Sequence, residues 1–156
     1  YFSKFPEIWY HGDWAKIDED GMWFLFGRSD DTIKVAGKRV GPGEVESALV
    51  EHKLVAEAAA IGVPHSIKGE GIVAFVVLMP TTQPSAELPA ELIRLVGDKL
   101  GHSLKPETVH IVDALPKTRS GKILRATIRR KYLGENPGDL SAIENPAFLD
   151  CIPVGK

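Results

Sequence analysis

The sequence has a single cysteine, Cys151, and only two methionines, neither of which is the first residue. One cysteine cannot form an internal disulfide, so we expect a protein of the reducing cytoplasm rather than a disulfide-rich secreted domain. Because the chain begins at Tyr1, we also expect it to be a piece of a longer gene product. No apolar run approaches the roughly 20 residues of a membrane-spanning helix, and no signal peptide opens the chain.

The chain also lacks a strong net charge, which is −2 over 156 residues, and this excludes a polycation that coats nucleic acid. The charges are nevertheless unevenly distributed. Residues 117–131 hold seven cations and no acid, whereas the last twenty-three residues hold four acids and one lysine. The hydrophobic fraction of 44% and the charged fraction of 26% predict an ordinary folded domain that contains one basic segment.

Aromatic residues are concentrated near the start of the chain, around HGDWAKIDEDGMWFLFGR at 11–28. The alternation of this stretch and its turn at Glu19-Asp20-Gly21 predict a β-hairpin. A single hairpin cannot bury so much aromatic surface by itself. We therefore expect residues 1–30 to be the end of an N-terminal region whose main body lies outside this chain.

The rest of the chain predicts an α+β fold, a small sheet with packed helices, over residues 31–134. Strands are expected at 32–36, 39–40, 55–64, 71–80 and 108–113. Helices are expected from Pro42 onward, from Leu88 to Leu100, and from about Ile123 to Tyr132. Residues 135–156 predict an extended tail that needs a partner surface to become ordered.

The basic segment contains a candidate anion-binding loop, PKTRSGKILR at 116–125, in which Lys122 follows Gly121. A lysine on such a loop can reach a phosphate, because glycine permits a close approach to the backbone. The loop is not a P-loop, since that motif requires glycine at Pro116 and serine or threonine at Ile123. Spacing alone favours phosphate binding and an ordinary solvated basic surface equally.

Two further stretches have the residue types of a phosphate and sugar site. GRSDDTIKVAGKRVGPGEVE at 27–46 combines glycines, cations and two aspartates, and would place Arg28 and Arg39 on one face of a short hairpin. The other interpretation of this stretch is turns with surface charge. His11 and Asp13 form a turn by themselves, and no ligand-like cluster near them indicates a metal site.

Together and in this order, the stretches resemble the C-terminal portion of the AMP-forming acyl-CoA synthetases, within the adenylate-forming superfamily. HGDWAKIDEDGMWFLFGRSDDTIKVAGKRVGPGEVESALVEH is similar to that family's ribose-binding and hinge motifs, and LPKTRSGKILR to its terminal lysine motif. VAEAAAIGVPHSIKGEGIVAFVVL matches between them. The resemblance covers about residues 10–133 and is strongest to the acetyl- or short-chain acyl-CoA synthetase branch.

The resemblance implies a partner, the larger N-terminal AMP-binding domain of the same chain, which holds ATP and a carboxylic acid. Asp13 matches the residue that binds the ribose hydroxyls, Arg28 supports the same sugar, and Arg39 matches an arginine that moves toward the phosphates. Lys122 matches the lysine of the adenylation step. The implied cofactors are ATP, CoA and Mg²⁺, with no nucleic acid or membrane partner, and the isolated fragment is expected to be inactive.

The resemblance also implies that the small domain rotates between two half-reactions. Asp30 matches the hinge residue, where the backbone absorbs the rotation, and Ala36 and Gly37 match the turn that then faces CoA. Some acetyl-CoA synthetases hold a structural cation near the end of the first helix, partly through carbonyls, and a helix end without an ion is an equal alternative. The matching residues are Val50, His52 and Val55.

Two other functions remain open: a stand-alone module that binds anions or nucleic acid, and a family member that has lost activity. The small net charge and the lack of stacking aromatics near 117–131 count against the first. The presence of Asp13, Arg28 and Lys122 counts against the second. The chain departs from the common family pattern at His11, Lys38 and Gly97, and glycine at 97 removes an arginine that could contact the CoA 3′-phosphate.

Overall fold

The part of the chain that the structure describes contains seven strands and three α-helices, joined by loops. The computed structural model describes residues 5–29 and 31–155, without the side chains of residues 26 and 27. The strands are β1 (Asp13–Ile17), β2 (Trp23–Arg28), β3 (Ile33–Val35), β4 (Lys38–Val40), β5 (Val55–His65), β6 (Gly69–Leu78) and β7 (Thr108–Ile111). The helices are α1 (Pro42–Val50), α2 (Leu88–Leu100) and α3 (Arg125–Tyr132), with short 3-10 helices at His102–Leu104 and Pro146–Cys151. None of the helices in these ranges has the length and apolarity needed to cross a membrane.

β1 and β2 form the predicted hairpin, a two-stranded antiparallel sheet of its own. The Asp18 carboxylate accepts a hydrogen bond from the backbone N–H of Asp20, and Gly21 takes a φ of +78° to close the turn. The hairpin leaves large apolar side chains in solvent, with Trp23 68% exposed and Leu25 70% exposed. This exposure agrees with the expectation that one hairpin cannot bury its own aromatic surface.

The other five strands form one mixed sheet built around β6. β5 runs antiparallel along one edge of β6, from Val55 opposite Leu78 to His65 opposite Gly69. On the other edge, β3 pairs at the beginning of β6, and β7 pairs in parallel further along the strand. β4 pairs with β3 at the outside. This sheet with its packed helices confirms the predicted α+β class.

One face of the sheet packs against α1 and α2. Side chains alternate between the two faces of a strand, so every second residue of the central strands points to these helices. The residues on this face are Ala58, Ala60, Ile72, Ala74 and Val76. They pack with Val45, Leu49, Leu88, Leu92 and Val96 of the helices, which are at most 1% exposed. Burial of each large side chain stabilises the fold by about 1.5–3 kcal/mol.

The opposite face of the sheet packs against α3 and the segment that follows it. The residues on this face are Ala59, Ile61, Val73 and Phe75. They cluster with Leu115, with Ile128 of α3 and with Ile152 near the end of the chain. The sheet is therefore covered on both faces, which explains why β5 and β6 are nearly continuous apolar runs in the sequence.

The segment after α3 packs on the domain that precedes it. Ile143, Leu149 and Ile152 are each no more than 6% exposed. The Gly155 N–H donates to the Tyr132 carbonyl over 2.7 Å. The sequence predicts that this tail needs a partner surface to become ordered. In the structure, the domain that precedes the tail provides that surface.

Several element boundaries differ from the sequence prediction, and two of these differences lie near candidate site residues. Ala36 and Gly37, with φ of +49° and +81°, form the turn between β3 and β4, one residue earlier than predicted. α3 begins at Arg125 rather than Ile123, because Ile123 still pairs with Lys117 in an isolated β-bridge.

His110 of β7 lies in an aromatic cluster on the α3 side of the sheet. Its ring stacks on Phe75 with the centroids 5.4 Å apart, and the Tyr132 ring lies 5.6 Å away. The buried Nε2 atom has no hydrogen-bond partner among the residues that the structure describes. Burial lowers the pKa of His110 below its ordinary 6.5, because the charged imidazolium would lose its hydration there.

We expect the free energy of unfolding to decrease as the pH falls below 6.5, in part because of His110. The unfolded chain binds a proton at the ordinary pKa, while the folded chain binds it only at lower pH, so acid favours unfolding. His110→Phe keeps an aromatic ring and removes the titration. Urea unfolding at about pH 5.5 and about pH 7.5 should show a smaller pH dependence for this variant. An unchanged dependence would contradict the assignment.

Candidate functional site

A cleft of about 490 Å³ lies where the hairpin meets the α+β domain. Arg28 from the end of β2 and Arg39 from β4 both line it, beside Trp14 and Thr32. The Trp14 indole Nε1 donates a hydrogen bond of 2.9 Å to Thr32 Oγ1 and joins the two bodies. The structure thus brings the two predicted arginines together in one cleft, although they come from different hairpins.

The β1–β2 register places Asp13 directly opposite Arg28. The Asp13 side chain is 19% exposed, and its Oδ2 lies 2.5 Å from Nδ1 of His11. Arg28 Nη1 donates to the His11 carbonyl over 3.1 Å. Gly12 between them has a φ of +85°, and a Cβ there would lie 3.3 Å from Arg28 Nη2. The turn therefore holds the Asp13 carboxylate and the Arg28 guanidinium on neighbouring strands, and Asp13 Oδ2 is already in contact with His11.

Lys122 lies on a tight, exposed loop closed by Thr118. The Thr118 N–H donates to the Lys122 carbonyl over 2.8 Å, and the Lys122 N–H donates to Thr118 Oγ1 over 3.1 Å. Gly121 takes a φ of +83°, which a β-branched residue would not tolerate. Within the described ranges, no carboxylate lies within 4.0 Å of the Lys122 ammonium. This cation is therefore available to an external anion.

Ion pairs fix both ends of this lysine loop to the rigid part of the domain. At the first end, Lys117 Nζ donates to both oxygens of Glu57 on β5, each over 2.8 Å. At the other end, Arg125 donates from Nε and Nη2 to the two oxygens of Glu46 on α1, over 2.7 and 2.6 Å. Sequence analysis did not identify these pairs, because their partners are 60 and 79 positions apart.

Glu46 also connects this pair to the sheet. Its Oε1 accepts a hydrogen bond of 3.0 Å from the Ala60 N–H, and its side chain is only 12% exposed. The hydrogen bond to Glu46 raises the pKa of Arg125, burial opposes this, and the charges of Glu46 and Asp31 raise it further. Arg125 therefore remains a cation, and the first turn of α3 is fixed against α1 and β5.

The turn at Ala36 and Gly37 projects from the edge of the sheet. The Ala36 N–H donates to the Lys68 carbonyl over 2.9 Å, which fixes the base of the turn. Around Gly37, an added Cβ would meet no atom within 4 Å. Lys38 turns away, and its Nζ donates to Ser103 Oγ over 3.0 Å. The turn is thus free to line a surface formed with another body.

The predicted hinge residue, Asp30, lies outside the described residues. On its N-terminal side, the Ser29 N–H donates to the Gly12 carbonyl of the hairpin over 2.7 Å. On its C-terminal side, Asp31 Oδ2 lies 3.9 Å from Nη1 of Arg125 in the domain. The chain therefore passes from hairpin contacts to domain contacts across this position.

The predicted cation segment lies at the C-terminal end of α1. The His52 carbonyl accepts from the Val55 N–H over 2.9 Å, and His52 Nε2 lies 3.3 Å from Glu91 Oε1. The described residues contain no group of three or more His, Cys, Asp or Glu side chains that could hold a metal. A search of side chains does not test a site formed partly by carbonyl oxygens, which suit a hard cation at a helix C-terminus. The cation site at Val50, His52 and Val55 therefore stays a prediction.

Residues 44–122 match the model of the family described as AMP-binding enzyme C-terminal domain. The match begins in the first turn of α1, includes the central strands, and ends at Lys122 within the lysine loop. The chain belongs to this family. The resemblance stated from the sequence motifs is thereby confirmed.

Curated relatives support the same assignment. The chain is 51% identical over 152 residues to the 3-hydroxypropionyl-coenzyme A synthetase of Sulfurisphaera tokodaii, covering 97% of this chain and 23% of that protein. It is 47% identical to the acetyl-coenzyme A synthetase of Alkalilimnicola ehrlichii, with coverages of 96% and 24%. The chain therefore spans about a quarter of the length of these relatives.

Solved structures share the fold. The ATP-bound MatB of Rhodopseudomonas palustris gives a TM-score of 0.71 at 34% identity, over 78% of this chain and 24% of that one. The acyl-CoA synthetase of Brucella canis gives a TM-score of 0.62 at 42% identity, over 77% of this chain and 22% of that one. Both likenesses agree with a C-terminal domain of an adenylate-forming enzyme.

We expect Glu46→Ala to lower the free energy of unfolding by about 2–3 kcal/mol, because Arg125 and the Ala60 N–H both lose their acceptor in a largely buried place. Glu46→Gln should cost less, since the amide oxygen can still accept from Ala60. Urea unfolding measures both values.

Glu51→Ala is the matched control for this prediction. Glu51 pairs with Lys99 but is 59% exposed, so its removal should change the free energy of unfolding by no more than about 1 kcal/mol. Equal losses for Glu46→Ala and Glu51→Ala would show that the Glu46 pair does not anchor α3.

Proposed function

We propose that this chain is the C-terminal lid domain of an AMP-forming acyl-CoA synthetase that activates acetate or another short-chain acid. The whole protein would convert the acid, ATP and CoA into acyl-CoA, AMP and pyrophosphate. The observation that carries the proposal is Lys122, a cation without a described counter-ion on a loop fixed at both ends. We propose that the isolated fragment is inactive, because the acid and ATP bind to the N-terminal part.

Lys122 serves the adenylation half-reaction in this proposal. The acid carboxylate attacks the α-phosphorus in line, the bond to pyrophosphate breaks, and negative charge increases on the non-bridging oxygens. A preorganised cation beside these oxygens stabilises the transition state more than the ground state. The loop geometry supports this role, since the ammonium has no described carboxylate that it must leave first.

The cleft between the hairpin and the domain binds the nucleoside part of ATP. The Asp13 carboxylate accepts hydrogen bonds from the ribose hydroxyls, and Arg28 on the opposite strand supports the same sugar. Arg39, which lines the same cleft as Arg28, approaches the phosphates. Mg²⁺ would enter with the triphosphate of ATP, because this ion is usually bound by the substrate phosphates together with only one or two carboxylates.

The second half-reaction uses the turn between β3 and β4. After rotation about Asp30, the turn at Ala36 and Gly37 faces the channel through which the CoA thiol reaches the acyl-adenylate. The thiolate attacks the acyl carbon and AMP leaves, a step that does not need Lys122. The open space around Gly37 supports this role, because a turn that packed on its own domain could not line a channel.

The partner of this chain is the N-terminal AMP-binding domain of the same protein. The hairpin exposes Ile17, Met22, Trp23 and Leu25 by 51% or more, and so much exposed apolar surface requires a covering surface. Relatives named for acetyl- and 3-hydroxypropionyl-coenzyme A suggest a short acid, whose pocket lies outside this chain. We propose a cytoplasmic location.

The rival function, a stand-alone nucleic-acid module, receives no support from the basic segment. Of its seven cations, four already have acceptors inside the domain: Lys117 on Glu57, Arg125 on Glu46, Arg129 on the Gly62 carbonyl and Lys131 near Asp150. A segment whose charges are largely used within the fold presents a weak electrostatic footprint to a phosphate backbone.

Lys122→Ala in the full-length protein should lower acid-dependent exchange of pyrophosphate into ATP by roughly 100- to 1,000-fold, as for loss of one oxyanion-stabilising group. Thioester formation from synthetic acyl-adenylate and CoA should continue. The matched control is Arg119→Ala, which removes an exposed cation from the same loop and should change the exchange little. Undiminished exchange with alanine at 122 would refute the proposed function.

Substitutions at Gly37 test the second half-reaction. Gly37→Ala and Gly37→Leu impose similar backbone strain at a φ of +81° but differ in size. Gly37→Leu should leave pyrophosphate exchange nearly intact and block thioester formation, with Gly37→Ala intermediate, when both half-reactions are measured in the full-length protein. Equal losses of the two half-reactions in Gly37→Leu would exclude a channel-lining role.

A further inference from the structure

The lysine loop has a third attachment, made by the segment after α3. We call residues 135–155 the strap. Ile143 of the strap forms an isolated antiparallel β-bridge with Thr118, and the Glu144 N–H donates to the Lys117 carbonyl over 2.8 Å. On its other side, Lys117 pairs with Ile123 in a second antiparallel bridge. The first half of the loop is therefore the middle of three short extended segments.

The third segment stabilises the conformation of the loop. A two-stranded hairpin is marginally stable by itself, and a third strand removes the free edge of its first half. The strap supplies that strand directly beside Thr118, whose main-chain N–H and side-chain oxygen both hold Lys122. Displacement of Thr118 would therefore displace the backbone of Lys122.

The strap is itself firmly seated on the domain. Ile143 is 4% exposed, Leu149 6% and Ile152 2%, so apolar side chains at intervals along it are buried. Near its end, Asp150 Oδ1 lies 3.7 Å from Lys131 Nζ of α3. The acidic composition of the strap thus matches the basic composition of α3 and the lysine loop. This burial and the ion pair hold the strap on the domain, although the strap has little regular secondary structure.

The strap lies beyond the part of the chain that defines the family, since the family match ends at Lys122. The alignments with the acetyl- and 3-hydroxypropionyl-coenzyme A synthetases nevertheless cover 96–97% of the chain and so include most of it. Nothing in the lysine motif itself requires such a segment. The strap nevertheless contacts the lysine loop at Lys117 and Thr118.

We propose that the strap is a positioning element for the adenylation half-reaction, with Ile143 as its principal positioning residue. It touches neither nucleotide nor acid and acts by fixing Thr118, and through Thr118 the backbone of Lys122. The inference rests on the proposed role of Lys122. A displacement of about 1 Å at a reacting centre can reduce a rate about 100-fold, so a small loosening of the loop has a measurable effect.

The test uses the full-length protein with Ile143→Asp, which places a charge in the buried strand. We expect acid-dependent pyrophosphate exchange to fall about 10- to 100-fold, while thioester formation from synthetic acyl-adenylate stays close to wild type. Hydrogen exchange, which does not depend on activity, should show faster exchange of the Lys122 and Leu124 amides. Ile143→Val, which keeps an apolar side chain, should leave pyrophosphate exchange and the amide exchange rates close to wild type. If Ile143→Asp does not fold, Ile143→Ala replaces it and should show the same pattern at smaller amplitude.

Val154→Asp is the matched control, because it makes the same change on the same strap at a side chain that is 58% exposed. It should leave exchange and both half-reactions unchanged. Equal losses of the two half-reactions in Ile143→Asp, or unchanged protection of the loop amides, would overturn the proposal. If Lys122→Ala leaves pyrophosphate exchange intact, the proposed function fails, whereas the amide measurements still decide whether the strap holds the loop.

Discussion

The carboxylates of Glu46 and Glu57 hold the two ends of the lysine loop on α1 and β5. The position of the Lys122 ammonium depends on these two anchors. A cation that must meet a phosphate cannot have a strong partner of its own, yet an unpaired side chain on a loose loop would lose entropy on binding. The domain separates these requirements. Lys117 and Arg125 are paired and fix the backbone, while Lys122 between them has no described carboxylate within 4.0 Å. Preorganisation comes from its neighbours.

The sheet makes this anchoring possible because both of its faces are covered. α1 and α2 bury one face, and α3 with the strap buries the other, so β5 and β6 form a rigid platform. Gly62 of β5 shows how closely the elements converge. A Cβ there would lie 2.9 Å from Ile33 Cγ2, and its carbonyl accepts a hydrogen bond of 2.7 Å from Arg129 Nε of α3. The platform transmits the position of α1 to α3 and the adjoining lysine loop through such direct contacts.

The features that the sequence predicts correctly are those with local signals. The Asp-Gly turn predicts the hairpin, the continuous apolar runs predict the central strands, and Pro42 predicts the start of α1. The motif that contains Lys122 identifies the family. The anchors could not be predicted in this way, because Glu46 and Arg125 are 79 positions apart and a lone glutamate in a helix has many possible partners. The contact between Thr118 and Ile143 has no periodic pattern either. Its one sequence signal is the charge asymmetry between the basic segment and the acidic tail.

The distribution of contact strength determines where the proposed rotation can occur. Within the domain, two paired carboxylates and a doubly covered sheet resist deformation. At the junction, the hydrogen bond from Trp14 to Thr32 is worth about 1 kcal/mol, so its loss is a small part of the free energy of a domain movement. In the proposed function, a rotation about position 30 would therefore move the domain as one body. Lys122 and Gly37 belong to that body, so the proposed withdrawal of one and arrival of the other would be consequences of a single movement. This coupling requires the lysine loop to stay rigid throughout, and the anchors and the strap provide that rigidity.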